Sequence, residues 1–468
     1  MSNVPMDAGN ASTPNRFYLA AWRWHFYAGV FVIPFLMILA VTGMMMMYIG
    51  YIDGRDGEKI TVAVPGNAEA LSISEQAGRA LASQPGGTLV EWLKGRAEDS
   101  ASVFRIKNDG GQTMVAVDPY TGDVLESWQR RQGWYDFADG IHSDLMLGTP
   151  GDRLLEIAAG LAIVLIVTGL YLWWPRDRSF LSALVPDLSE KGRVLWKTLH
   201  ANVGVYLSVF LLLFLISGMS WTGIWGSKLV QAWSTFPAEK WDNVPLSDKT
   251  HASLNHGTVG EMPWALEQTP LPASGSNAGV VGIAPGIPVT IDSVANLANA
   301  IGFSARYRIA YPGSETAVWT INQDTMSADA EDPFSDRTVH VDQYTGRVLA
   351  NVAFADYSLA GKAMAVGIPL HMGLVGLWNL ILNTLVCLSV IFLCVSGVAM
   401  WWLRRPKGAA LRVFAPKSPD DLPHWRGAMI LMLFLSLAFP LVGITLLTVL
   451  ALDYLLVKRV PMLRRAIG

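Results

Sequence analysis

The sequence predicts a predominantly α-helical integral membrane protein built from two duplicated halves. Each half has two membrane spans and a small external α+β module, and a fifth span follows at the C-terminus. Three observations support this fold class. Hydrophobic residues make up 51% of the 468 residues and charged residues only 16%, whereas charged residues form about a quarter of a typical soluble domain. Five apolar stretches each have about the 20 residues that a spanning helix needs. Motifs that contain histidine also occur twice, at matching positions.

The apolar stretches and the segments between them divide the chain into parts. The stretches lie at residues 24–48, 154–174, 198–222, 374–402 and 427–455. The first is too long for a signal peptide and lacks a small-residue cleavage site, so it predicts an uncleaved anchor. The predicted parts are span one (15–50), a first external module (51–140), a histidine-bearing segment with span two (141–176), a loop (177–197), span three (198–225), an insertion with the second module (226–360), a second histidine-bearing segment with span four (361–405), a loop (406–426) and span five (427–457).

Lysine and arginine residues predict the orientation of these spans. They are frequent before span one, between spans two and three, and after span four. Because short basic loops stay in the cytoplasm, both modules are predicted to lie outside. A single fifth span would place Lys458, Arg459, Arg464 and Arg465 outside, against this rule. Pro440 marks either a kink or a re-entrant hairpin, and we prefer one kinked helix.

The two external modules share a nine-residue motif. Residues 117–125 read V-D-P-Y-T-G-D-V-L, and residues 341–349 read V-D-Q-Y-T-G-R-V-L. Apolar strand residues flank a turn in which the Asp can bond nearby amides and the Gly can adopt positive φ. Each motif therefore predicts a β-hairpin. Helical periodicity at 70–83 and 292–302 precedes predicted strands at 102–107, 113–117, 305–310 and 316–321, and residues 223–290 form an irregular insertion.

Four of the eight histidines lie at matching positions of the two halves. His25 and His200 each lie 18 residues before the glycine of a Thr-Gly-Met or Ser-Gly-Met sequence. His142 and His371 each precede a span that ends in Trp-Trp-x-Arg. Such repetition at helix ends predicts paired metal or haem ligation. The glycines in question are interpreted as points of close helix approach; they lie in Thr42-Gly43, Thr168-Gly169, Ser217-Gly218 and Ser396-Gly397.

The helix-plus-hairpin modules, the histidine-bearing spans and the Trp-Trp-x-Arg endings together resemble the PepSY-associated transmembrane family, over roughly residues 15–410. The family comprises bacterial inner-membrane proteins, often iron-regulated, and includes di-haem ferric-siderophore reductases. The resemblance implies that His25, His200, His142 and His371 are axial ligands of two b-type haems. It also implies periplasmic modules and reduction of a ferric siderophore or other ferric chelate.

Topology predicts how the four histidines pair. A haem iron takes two axial ligands from opposite sides, and facing helices supply one each. Because 18 helical residues cover about 27 Å, only histidines at the same membrane face can meet. We therefore expect His25 to pair with His200 at the inner face and His142 with His371 at the outer face. Gly29 and Gly204 would admit a flat porphyrin or serve helix packing.

Other residues have alternative interpretations. His251 and His256, with Glu261, would bind a metal or be solvated loop residues, and His340 would line an external substrate site. His424 is predicted to be an interfacial anchor. Core and lipid-facing methionine is preferred over a copper site at residues 44–47. Buried thiols are predicted at Cys387 and Cys394, and an anionic substrate site or an ordinary solvated sheet face is predicted at Arg105, Arg306, Arg308, Tyr120, Tyr307, Tyr311 and Tyr344.

Several classes of function are excluded or disfavoured. The chain has no nucleotide-binding fingerprint and no C-x-x-C-H motif for covalent haem attachment. The spans contain almost no charged residues, which argues against a transporter. We therefore expect an oxidoreductase that takes electrons from quinol or a redox protein, with ferric chelate, copper or a sulfur oxyanion as acceptor. The alternative is a haem-free sensor or assembly protein whose modules bind a peptide or protein.

Overall fold

The computed structural model describes residues 16–66, 69–231, 243–255, 262–405, 415–416, 426–452 and 455. The chain forms two compact units. Unit one comprises residues 1–40, 153–215 and 388–468, and unit two comprises residues 41–152 and 216–387. The loop at 406–426 lies largely outside the described residues, as do His256, Glu261, His424 and the C-terminal basic residues.

Four helices are long and apolar enough to cross a membrane: α1, α4, α6 and α9. They correspond to the first four predicted spans, so the transmembrane character of the chain is confirmed. The described helices are α1 (Arg16–Asp53), α2 (Ile73–Ala82), α3 (Trp134–Asp144), α4 (Thr149–Trp173), α5 (Phe180–Leu184), α6 (Gly192–Met219), α7 (Ile291–Ala300), α8 (Leu359–Met372), α9 (Leu377–Arg404), α10 (Arg426–Ala438) and α11 (Pro440–Leu452).

The predicted fifth span is two short helices. Helices α10 and α11 have 13 residues each, too few to cross a bilayer singly. In one continuous helix, residues seven apart are about 10 Å apart along the axis, yet a Cβ added at Gly443 would lie 2.9 Å from Ser436 Cβ. The chain therefore turns back sharply at Pro440, and the single kinked helix that we preferred is wrong. A Cβ at Gly160, halfway along α4, would meet Val442, so this bend packs against the middle of a span.

Both modules contribute to one nine-stranded antiparallel sheet in unit two. Its strand order is β4-β3-β2-β1-β8-β9-β10-β11-β7. The modules join where β1 pairs with β8, with Trp92 opposite Ile309, a continuity that the sequence did not predict. The strands are β1 (Thr88–Leu93), β2 (Ser102–Asn108), β3 (Gly111–Val117), β4 (Val124–Gln129), β5 (Leu246–Thr250), β6 (Pro270–Pro272), β7 (Val280–Val281), β8 (Arg308–Ala310), β9 (Val318–Gln323), β10 (Arg337–Asp342) and β11 (Arg347–Ala353).

The predicted hairpin chemistry is confirmed in both modules. Asp118 Oδ1 accepts hydrogen bonds from the backbone amides of Tyr120 and Thr121, at 2.8 and 3.2 Å. Asp342 Oδ1 likewise accepts from the backbone amides of Tyr344 and Thr345, at 2.8 and 2.9 Å. The glycine of each motif has positive φ, 75° at Gly122 and 65° at residue 346, where a side chain would be strained.

One face of the sheet packs against α2 and α7, and their apolar residues form a shared core with the strands. Ala80 and Val294 are fully buried in it, as are Phe104 and Ile321 from the strands. Within the insertion, β5 pairs with β6, and β7 adds the last strand beside β11. The other side of the sheet carries polar and charged residues, described below.

Two short helices precede the second span of each half. Helix α3 ends at Leu145, which has the left-handed φ of 57°, and the chain turns through a few residues into α4. Helix α8 begins after Ser358, whose Oγ accepts from Gly361 N. It ends at Gly373, with φ of 78°, and α9 follows. His142 and His371 lie on these short helices and not on the spans.

Candidate functional site

The four matched histidines form two pairs. In unit one, His25 of α1 faces His200 of α6, with ring centroids 6.4 Å apart and ring planes at 85°. We call these the span pair. In unit two, His142 of α3 faces His371 of α8, with centroids 6.3 Å apart and planes at 87°. We call these the short-helix pair. The partners are the ones expected from the sequence, and each pair joins the two halves of the chain.

Each ring is held by a hydroxyl group from its own half. In the span pair, His25 Nδ1 lies 3.0 Å from Thr168 Oγ1, and His200 Nδ1 lies 2.7 Å from Ser396 Oγ. In the short-helix pair, the Nδ1 atoms of the two rings lie 2.9 Å from Thr42 Oγ1 and 3.0 Å from Ser217 Oγ. The same atom of all four rings is therefore engaged in the same way.

These hydroxyls determine the tautomer of the span pair. Thr168 Oγ1 donates its hydrogen to Val164 O at 2.7 Å, and Ser396 Oγ donates to Leu393 O at 3.1 Å. A hydroxyl has one hydrogen, so its oxygen can only accept from the imidazole. Each Nδ1 is then protonated, and the lone pair lies on Nε2, the nitrogen that a metal binds. A hydrogen bond to the second ring nitrogen is the usual way in which a protein orients a ligating histidine.

A glycine next to each hydroxyl residue makes room for the ring. A Cβ at Gly169 would lie 3.2 Å from His25 Cε1, and at Gly43 or Gly218 it would lie 3.3 Å from the facing histidine. At Gly397 the added Cβ would lie 3.7 Å from Ile33 Cδ1 and 3.8 Å from His200 Cε1, which are ordinary contacts. The close approach expected at these glycines is therefore between backbone and imidazole at the first three positions. The sequence contains the signal that we missed, because Thr or Ser precedes glycine in all four motifs.

The ring spacing fits a pair of axial ligands. An imidazole nitrogen lies about 2 Å from a first-row metal ion that it binds, and the ring centroid lies about 1.2 Å behind that nitrogen, given ring bonds of about 1.35 Å. Two rings on opposite sides of one iron have centroids about 6.4 Å apart. The observed 6.4 and 6.3 Å match this value. The donor set and its spacing therefore fit two bis-histidine haems.

Gly29 and Gly204 leave space one helical turn beyond the span pair. A Cβ at Gly29 would meet only Leu165 Cδ2 at 3.9 Å, and one at Gly204 would meet only Leu393 Cδ2, also at 3.9 Å. These are ordinary contacts, so close helix packing does not require glycine at either position. The space is consistent with the approach of a flat ligand.

A third histidine pair lies in unit two, where the sequence suggested a loop metal site or a substrate site. His251 and His340 are both fully buried, and their Nε2 atoms are 2.9 Å apart. His251 Nδ1 lies 2.9 Å from Thr269 O and donates to it, so His340 donates from Nε2 and accepts from Thr320 Oγ1 at 3.0 Å. A surface role for His340 is therefore wrong. The two rings form a neutral, directional hydrogen-bonded chain.

This buried pair makes the stability of the chain depend on pH. Burial lowers the pKa of His251 to about 4, and burial together with His251 lowers the pKa of His340. The folded chain therefore binds fewer protons than the unfolded chain below about pH 6.5 and loses stability down to about pH 4. We expect a loss of about 3 kcal/mol across this range from His251 alone, to which His340 adds. Thermal melts of the H251Q/H340Q variant should lose this pH dependence, whereas those of H256Q should keep it.

The arginines of the two sheet modules are buried in an ion network. Arg105 and Arg308 are 0% and 3% exposed. Arg105 Nη2 lies 2.6 Å from Glu91 Oε2, and Arg308 makes two bonds of 2.9 Å to the carboxylate of Asp329. Arg306 is also buried and reaches Glu58 Oε2 at 3.1 Å. Neither the solvated sheet face nor the open substrate site suggested by the sequence is correct for these three arginines.

The network fastens the segment after α1 to the sheet. Arg306 donates to the carbonyls of Arg55 and Asp56, at 3.1 and 2.8 Å. Burial opposes the charge of Asp56, but Arg130 and Arg308 outweigh it and lower the pKa of Asp56. Burial likewise opposes the charge of Arg308, yet Asp329, Glu91 and Asp56 together outweigh it and raise the pKa of Arg308. The charged forms are therefore the stable ones for both groups.

Removal of one partner of this network should be costly. Arg308→Leu leaves Asp329 buried beside a weaker set of cations, and such a loss typically costs about 3–5 kcal/mol. We expect a marked fall in the unfolding temperature, followed by tryptophan fluorescence in detergent. Arg347→Leu removes bonds to two backbone carbonyls only and serves as the control. An equal shift in both variants would contradict the assignment.

The remaining candidates have structural roles. Tyr120 and Tyr344 donate their hydroxyls to the carbonyls of Glu98 and Glu315, at 3.1 and 2.8 Å. Tyr307 is buried in the core, and Tyr311 packs on a tryptophan. Both cysteines are buried free thiols, as predicted, and Met47 is buried against Gly373. Among the described residues, no group of three or more His, Cys, Asp or Glu is arranged to hold a metal ion.

Comparisons with known proteins support the architecture. The family profile described as PepSY-associated TM region matches residues 22–404. This range includes the four spanning helices, both sheet modules and all four paired histidines. No curated protein matches the chain.

Proposed function

The chain belongs to the PepSY-associated TM family, and we propose that it is a transmembrane electron-transfer protein with two b-type haems. The proposed reaction is reduction of a ferric siderophore or other ferric chelate outside the cytoplasm. Quinol or a redox protein would be the donor on the other side. The observation that carries this proposal is the pair of histidine sites whose rings are 6.4 and 6.3 Å apart.

The residues present match what each cofactor requires. His25 and His200 would hold one haem, and His142 and His371 the other. When bound by two histidines, haem supplies one-electron chemistry and leaves no open iron position for oxygen. The Thr and Ser hydroxyls keep the rings oriented and Nε2 unprotonated, so little rearrangement accompanies a change in iron charge.

The division into units supports the assignment of roles. The short-helix pair and the nine-stranded sheet belong to the same unit, so we assign the step that delivers the electron to the acceptor to the haem of His142 and His371. The basic loops of the sequence favour a periplasmic location for the sheet. They favour a location near the cytoplasmic face for the span pair. Reduction would add one electron to the chelated Fe(III), and the oxygen donors of the chelate hold the resulting Fe(II) more weakly, which would release the metal for uptake.

The decisive experiment is spectroscopic. The chain is purified from cells supplied with haem, and its absorption spectrum and pyridine haemochrome are measured. We expect a Soret band, α-bands of low-spin b haem after reduction, and two haems per chain. The reduced protein, mixed with a ferric chelate in anaerobic buffer, should reoxidise in a single turnover.

A chain without a Soret band would contradict the proposal. The alternative from the sequence, a haem-free sensor or assembly protein, would then explain the modules as peptide-binding or protein-binding elements. No feature of the described residues favours that alternative over electron transfer.

A further inference from the structure

Two buried N–H groups in unit one have no hydrogen-bond partner within the described part of the chain. They are Arg193 Nε and Trp173 Nε1. Both lie near the span pair along their helices. Arg193 is seven residues before His200 on α6, and Trp173 is five residues after Thr168 on α4, which correspond to about 10 and 8 Å along the helix axes. A buried donor without an acceptor is costly, so an acceptor is expected at this position.

A second guanidinium group lies at the same level of the neighbouring helix. Ser396 of α9 contacts His200 of α6 at 2.7 Å, and Arg404 lies eight residues after Ser396 as Arg193 lies seven residues before His200, so the two like charges repel. Its Cζ lies 5.0 Å from the ring centroid of Phe26 and 5.4 Å from that of Trp22. These aromatic residues flank His25 on α1, so Arg404 is oriented toward the same end of the span pair.

The described residues offer no carboxylate to Arg193. No Asp or Glu among them lies within salt-bridge distance of its guanidinium. Two adjacent guanidinium groups with a buried unused donor are the arrangement that binds an anion, because the anion removes their repulsion and accepts the free hydrogen bond. An anion from outside the described residues would supply the acceptor that these donors lack.

We infer that Arg193, Arg404 and the Trp173 indole bind the carboxylates of the haem at the span pair. This inference rests on the proposed function. Haem b carries two propionate carboxylates on one edge, and a guanidinium can bind a carboxylate through two parallel bonds. A lipid phosphate would present the same anionic chemistry to these groups. The experiment must therefore separate a carboxylate of haem from a lipid headgroup.

The test uses the full chain with the short-helix site disabled by His142→Ala, so that one haem remains. Arg193→Gln, Arg193→Lys and Arg178→Gln are compared in that background; Arg178 is exposed and provides the control. Transfer of haem to excess apomyoglobin is followed optically. We expect Arg193→Gln to release haem about tenfold faster or more, Arg193→Lys to be intermediate, and Arg178→Gln to match the parent. The midpoint potential should also fall in Arg193→Gln, because a positive charge near the oxidised iron is lost.

A chemical control identifies the anion. Protein produced without haem is reconstituted with protohaem dimethyl ester, which lacks the charged carboxylates. If Arg193 binds a propionate, the parent should lose the ester about as fast as Arg193→Gln loses ordinary haem, and Arg193→Gln should show no further loss with the ester. If Arg193→Gln still weakened binding of the ester, or had no effect on ordinary haem, a lipid headgroup or a structural role would be indicated and the inference overturned. A parent chain that binds no haem at all would instead contradict the proposed function.

Discussion

Replacement of His371 by alanine is expected to reduce the haem content from two per chain to one and to abolish reduction of ferric chelate. One axial ligand is lost, and the partner ring across the site, 6.3 Å away between centroids, cannot hold the iron from both sides. His25→Ala should also leave one haem, but it removes the other site. The measurements are the pyridine haemochrome and stopped-flow reoxidation of the reduced protein by a ferric chelate.

The two variants differ in a way that tests the assignment of sites. The chain with His25→Ala keeps the short-helix pair and, reduced chemically, should still pass its electron to the chelate. His256→Ala, in the external insertion, is the control and should retain two haems. Two haems in His371→Ala, or chelate reduction at the parental rate, would refute the ligand role of His371.

Replacement of Gly218 by a larger residue should also cause loss of the haem at the short-helix pair, here through a steric clash with His371. A Cβ at this position would already lie 3.3 Å from His371 Cε1. Alanine therefore requires the ring to shift by a few tenths of an ångström, and valine requires it to leave its position beside Ser217. We expect Gly218→Val to lose the haem of the short-helix pair and Gly218→Ala to hold it more weakly, as measured by haem per chain and by transfer to apomyoglobin.

A nearby glycine separates this effect from general disturbance of the helices. A Cβ added at Gly367, on α8, would contact only Ser217 Cβ, at 3.9 Å. Gly367→Ala should therefore keep two haems and the parental optical spectrum. Equal loss from Gly218→Ala and Gly367→Ala would show that the imidazole does not depend on the contact with Gly218.

The sequence predicted the parts of the fold that depend on local patterns. The four spans follow from apolar length, and the two hairpins follow from Asp118 and Gly122 and their counterparts in the second motif. The pairing of the four histidines could be expected because duplication and membrane depth leave few alternatives. The ligand role of these histidines remains a prediction.

The rest depends on packing that a single sequence does not reveal. The joining of two modules through β1 and β8 requires the positions of both edges in space. Arg306 and Arg308 look like exposed strand residues, because their partner Asp329 lies in a separate turn. The bend at Pro440 looks like a kink until Gly443 is seen against Ser436. The Thr or Ser before each glycine, as at Thr168 and Ser396, is visible in the sequence. Its role as a hydrogen-bond partner of a histidine is recognised only when the structure places the imidazole beside it.

Three contacts between the two halves join equivalent elements: His25 with His200, His142 with His371, and β1 with β8. This is the isologous contact of a two-fold dimer, reproduced within one chain. The insertion breaks that symmetry at the edges of the sheet. Strand β7, from the insertion, pairs with β11 at one edge, whereas β4 is itself the last strand at the other edge. The two ends of the sheet therefore differ, although the modules that supply them are repeats of one another.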